Sequence, residues 1–167
     1  MSIPANAPSV LDTTLGNDGF WPLLPVRKVV SAHRLQFDSR DGALTTVLVE
    51  AMIEANDALA AAKAKLRADG YATLADYMTA HNETIGGEPV LVSLYLSAVG
   101  YWAKAAEIER RGGVERRPMA EADVDGQAKT AAGFLDQFQR TVTRIQQRVL
   151  GQGGSADYGF HVASIGE

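Results

Sequence analysis

Three histidines, His33, His81 and His161, are the side chains best suited to acid–base or metal chemistry near neutral pH. They stand far apart, and none begins an HExxH or HxxxH pattern, so no helical turn brings two of them onto one metal. Cysteine is absent, which removes thiolate zinc sites, disulfides and a cysteine nucleophile. Glu121, Asp123, Asp125 and Gly126 copy the acidic opening of a calcium loop. The last position of such a loop falls on Ala132, where a bidentate Glu is needed, so the stretch reads as a solvated linker. Nothing in an exposed linker would shift the pKa values of Asp123 and Asp125 toward acid–base work. Gly151-Gln152-Gly153-Gly154 lacks the GK[ST] ending of a phosphate loop and follows a helical pattern, which leaves a hinge. His33, beside Arg34, reads as a surface or boundary histidine. No nucleophile, base and orienter assemble, so neither an enzyme nor a cofactor or metal is expected.

What remains is surface chemistry. Arg140, Arg144 and Arg148 step by four, so on a helix they form a basic stripe drifting about 40° per step. Lys129 extends it. Such a stripe is a solvated face or a contact for phosphates or an acidic partner. Phe20 and Trp21 follow a turn signal at Gly16–Gly19 and serve as a core plug or as an interface anchor. Tyr158, Phe160, Val162 and Ile165 follow a glycine-rich hinge at a period near two. A strand there has no sheet to join in a helical chain, so the segment is a partner-docking tail or a disordered one.

Helices must position these residues. Leu44, Leu48, Ala51, Ala55, Leu59, Ala62 and Leu66 make an apolar seam within Asp41–Asp69, and Gly70 supplies the stop. Pro25 opens a short helix through His33. Thr73 and Asp76 form a weak capping box for another short one. His81 to Gly87 reads as a polar loop, and a helix begins around Glu88-Pro89 with a seam from Leu91 to Ile108, ending at Glu109–Gly113. The stretch Gly112–Gly126 is a charged linker. A last helix, Gln127–Leu150, carries Phe134, Phe138, Val142, Ile145 and Val149 on its apolar face. The fold class is thus all-α: a small bundle of three main helices plus one or two short ones.

Residues 1–19 form a flexible arm, 20–150 the helical domain and 151–167 the docking tail. The 167 residues suit one domain. A net charge of −4 argues against bulk nucleic-acid affinity. The opening MSIPANAPSV lacks a secretory pattern, and the longest uncharged run, Pro89–Ala103, is 15 residues, too short to span a membrane. A soluble intracellular protein with no membrane partner is expected.

In order and spacing, these segments resemble the head completion (gpL-like) proteins of P2-type tailed bacteriophages. The resembling marks are Phe20-Trp21-Pro22 with Pro25, Arg34-Leu35, Glu54-Ala55-Asn56 with Leu59-Ala60, and Gly70 through Asp76. Further marks are Gly87-Glu88, Val92 and Tyr95, Ala98-Val99, Ala103-Lys104-Ala105 and Glu109-Arg110. Gly126, Lys129, Val142, Ile145 and Leu150-Gly151 complete them, so the resemblance covers about residues 20–151. The departures are Arg111-Gly112-Gly113 where the family usually has a tyrosine and a further arginine, a longer Val114–Asp125 linker, and the tail beyond Gly151.

The resemblance implies a head-to-tail connector, or adaptor, without enzymatic activity. Such a protein joins the portal protein after DNA packaging, assembles with neighbouring copies in a ring that is typically twelve-fold, and extends the channel for packaged DNA. Downstream neck or tail proteins dock on it. It resides in the virion at the head–tail junction and is assembled in the host cytoplasm. In that setting Tyr158, Phe160, Val162 and Ile165, with Phe20 and Trp21, would dock on the portal or a neighbour. Arg140, Arg144, Arg148 and Lys129 would face a neighbouring subunit or the channel. The alternative is a sequence-independent nucleic-acid-binding helical protein that uses the same stripe.

Overall fold

The computed structural model describes residues 10–37, 42–114 and 121–151, except for the side chains of 112–114 and 121–129. A 3-10 turn, Val10–Asp12, leads into a two-residue strand, β1 (Thr14–Leu15). It pairs antiparallel with β2 (Leu24–Pro25), Thr14 opposite Pro25 and Leu15 opposite Leu24. The helices α1 (Val26–His33), α2 (Ala43–Ala58), α3 (Ala60–Ala68) and α4 (Leu74–His81) follow. A second ribbon, β3 (Thr84–Ile85) with β4 (Glu88–Pro89), precedes the two long helices α5 (Val90–Val114) and α6 (Glu121–Leu150). Among the described residues the fold is all-α, with α2–α3, α5 and α6 as its main rods.

α5 is the central element because it is apolar on most of its circumference. Leu91, Tyr95, Leu96, Ala98, Val99 and Ala103 are all buried, as expected of a helix packed on several sides. α6 makes the most extensive contact with it, and α2 and α1 pack on its other sides. α6 runs back along α5: Phe134 stacks on Tyr101, and Arg148 reaches Glu83 just before α5 begins. The α6 face is Phe138, Val142, Ile145 and Val149, all buried, with Phe134 half-buried. The seam predicted from residue spacing is therefore the one that packs.

Several boundaries differ from the sequence-based expectation. The Asp41–Asp69 helix starts at Ala43 and is interrupted at Leu59, where φ is −101° and ψ 11°. Gln146 Nε2 donates to the Ala58 carbonyl at 2.9 Å at this break. A side chain entering the backbone ladder is an ordinary cause of a helix bend. Glu88-Pro89 does not open α5 but forms β4, because Gly86 and Gly87 both take positive φ (63° and 81°) and close a two-residue hairpin.

α5 runs through Gly112-Gly113 to Val114, and α6 starts at Glu121, so the connection is shorter than the expected linker. Packing of two long helices outweighs a glycine cost of about 1 kcal/mol each. Residues 115–120, with Arg116 and Arg117, lie outside the described residues. Residues 10–19 were expected in the arm but belong to the fold. The β1–β2 pairing, the packing of Val10, Leu11 and Leu15 on the core, and side-chain bonds to backbone from Thr13, Asn17 and Asp18 hold them, none of which leaves an apolar period in the sequence. Residues 1–9 lie outside the described residues.

Candidate functional site

Phe20 and Trp21 are held first by Asp18, whose Oδ1 accepts from both of their amides at 3.0 and 3.1 Å. Asp18 Oδ2 takes Lys63 Nζ of α3 at 2.5 Å. Burial raises the Asp18 carboxyl pKa, but the hydrogen bonds from Lys63, Trp21 and Phe20 outweigh it and leave the group below its ordinary 3.8. Lys63 and Arg67 both sit 5.6 Å from the Phe20 ring centre, within cation–π range. The Phe20 carbonyl accepts the Leu74 amide at 3.0 Å and fixes the start of α4.

Trp21 lies flat on Tyr95 of α5, with ring centres 5.2 Å apart. The Tyr95 hydroxyl donates to Asn56 Oδ1 (2.7 Å) and accepts from Asn17 Nδ2 (2.8 Å), while Asn56 Nδ2 donates to Asn17 Oδ1 (2.9 Å). Burial pushes the Tyr95 phenol well above its usual pKa, so it stays a neutral donor. Phe20 is 2% exposed and Trp21 3%. Of the two sequence readings, burial fits the plug: the rings pack on each other, on Tyr95 of α5 and beneath Lys63 and Arg67 of α3. The hydrogen-bond triangle links Asn56 and Tyr95, two of the marks carrying the family resemblance, beneath the third, Trp21.

A second polar cluster was not foreseen. Glu107 of α5 is buried, with Lys104 Nζ at 3.0 Å and Arg111 Nη2 at 2.6 Å. Lys104 also donates to the Arg34 carbonyl (3.0 Å), and Arg111 to the Gln36 carbonyl (2.8 Å). Glu107 Oε1 accepts no hydrogen bond, so its contact with Arg111 is ionic. The i, i+3 and i, i+4 spacing of these charges was visible in the sequence. The burial of Glu107 was not, because it depends on the segment after α1 lying across α5.

His33 is half-buried at the α1–α5 boundary, as expected, with its ring edge-on to Tyr101 at 4.9 Å. His81 is exposed and stacks on Tyr77 at 4.0 Å. His161 lies outside the described residues. Among the described residues no three His, Asp or Glu side chains gather as metal ligands. None of their helices is long and apolar enough to cross a membrane.

The arginine stripe stands on the outer face of α6. Arg140 pairs with Asp136 at 2.8 Å, and Arg148 pairs with Glu83. Arg144 has no partner among the described residues. The Lys129 side chain lies outside them, as do Tyr158, Phe160, Val162 and Ile165 of the tail. Arg144, Gln147 and Arg148 form one wall of an open groove of about 470 Å³, closed on the other side by Ile85, Val90 and Leu94.

Fold and surface together define a small helical protein whose outward chemistry is charge and apolar area. The chain belongs to the phage head completion protein (GPL) family, whose model matches residues 15–151. It has a structural role in the phage head. No curated protein and no solved structure matched the chain.

Proposed function

We propose that this chain is a subunit of the head-to-tail connector. It binds the portal ring once DNA is packaged, extends the DNA channel and gives the tail a platform. Copies associate through heterologous faces that close into a ring, typically of twelve. The family match over residues 15–151 carries this reading. The α6 stripe serves contacts between subunits better than a channel lining. Two of its three arginines already hold acids of the same chain, and a lining of free arginines would retard DNA through additive phosphate contacts.

The tail beyond Gly151, with Tyr158, Phe160, Val162 and Ile165, docks on the portal or a neighbour. Deleting residues 152–167 tests this. Helical circular dichroism should stay nearly constant while binding to purified portal rings weakens at least tenfold. Undiminished binding removes the tail from the interface. The connector reading as a whole fails if virions contain none of this chain at the neck.

A further inference from the structure

The unengaged acids of this chain are not scattered. Among the described residues, Glu50, Glu54, Asp57 and Glu109 are the carboxylates with neither a hydrogen bond nor an ion pair. Three of them share one face of α2, within an arc of about 60°. Ile53 and then Val49 border that face on one side, 53% and 39% exposed. The opposite face of α2, from Leu44 to Ala55, is buried. Like charges one turn apart repel, so the outer face is an apolar pair flanked on one side by mutually repelling carboxylates.

The groove beside α6 has the complementary character. Ile85 is 73% exposed, with Leu94 half-buried behind it. Arg144 overlooks it with no acid of its own. Arg140 and Arg148, one turn to either side, hold exposed acids that exposed pairs exchange easily. Residues 50 to 57 span about 10 Å of helix axis and residues 140 to 148 about 12 Å.

We propose that these faces meet between copies: the outer face of α2 in one subunit seats in the Ile85–Arg144 groove of the next. Ile53 covers Ile85, and Glu54 faces Arg144, with Glu50 and Asp57 toward the flanking arginines. Two α2 faces repel each other, which disfavours a two-fold dimer with α2 on its axis, and cross-linked species beyond the dimer distinguish the heterologous contact from a reciprocal pair. Each subunit then keeps one face of each kind for its two neighbours. The assignment rests on the connector reading and specifies which surfaces build the ring.

The chain has no cysteine, so Ile53→Cys with Ile85→Cys places a single reactive pair across the contact. Treated with a short bismaleimide, the full-length double variant should give a ladder of dimers, trimers and higher species. Either single variant should remain largely monomeric. Adding Glu54→Arg or Arg144→Glu should cut the ladder at least tenfold, and adding both should restore it. These positions are exposed, and circular dichroism verifies each variant's fold. No ladder from the double-cysteine chain, or a ladder indifferent to both reversals, overturns the assignment. If the ladder fails while the chain is still found at the virion neck, the connector reading stands and only these faces are wrong.

Discussion

Gly100 lets the His33 ring rest directly on α5. A Cβ at this position would lie 2.1 Å from His33 Cδ2 and 2.2 Å from Nε2, far inside van der Waals contact. The ring cannot step aside freely because Tyr101 meets it edge-on. Gly100→Ala should therefore lower stability by about 1–3 kcal/mol, the usual cost of overpacking. Adding His33→Ala should return part of that loss, since the two effects share one contact. Urea denaturation of the four chains measures the coupling, and strictly additive effects would refute it.

His33 also sets a pH dependence. Burial, and after it the Lys104 charge, lower its pKa below the ordinary 6.5. The unfolded chain then binds the proton more readily than the folded one. The contribution of neutral His33 is complete above pH 6.5 and is lost as pH falls from 6.5 through the lowered folded value. Thermal melts from neutral pH downward should show a steeper loss below pH 6.5 for the native chain than for His33→Gln. Parallel curves would show that the ring's proton is not linked to folding.

At the scale of elements, local rules hold where they concern a residue's own turn. Thr73 caps α4 in full: its side chain accepts from the Asp76 amide at 3.1 Å, and Asp76 Oδ2 accepts from the Thr73 amide at 2.9 Å. The Thr73–Asp76 spacing announces this box, although Asp is the less common closing residue. Thr73→Ala should cost about 1 kcal/mol, read as a shift in urea midpoint. No shift would mean α4 is held by Leu74 and Met78 packing alone.

Periodicity marks α2, α5 and α6 correctly because a buried helical face repeats by geometry. It misses the bend at Leu59, which depends on Gln146, 87 positions further along the chain. It also misreads Gly112-Gly113 as a stop, since intrinsic propensity carries no knowledge of the neighbouring helix. The Gly86-Gly87 hairpin was within reach of sequence reasoning, because two glycines between short flanks are a recognised turn signal. The candidate faces were legible only by half. The stripe spacing is plain in the sequence, but which arginines are already neutralised depends on Asp136 and Glu83 being brought into range by the fold.

For the molecule as a whole, charge placement decides between an assembly protein and a nucleic-acid binder. The chain carries a net charge of −4. On the outer face of α6, Asp136 and Glu83 neutralise Arg140 and Arg148, which leaves Arg144 as the unmatched cation of the stripe among the described residues. A duplex would also meet the free carboxylates of α2 as a repulsive field. Each phosphate contact contributes a slope of about −0.9 to log K against log salt. The isolated chain should therefore bind duplex DNA weakly, with a slope no steeper than about −1. Mobility-shift titrations across a salt series measure it. A slope of several units that Arg144→Glu reduces by about one would establish phosphate binding by the stripe. It would then favour the nucleic-acid reading over contacts between subunits, because a cation committed to a neighbour's Glu54 cannot also hold a phosphate.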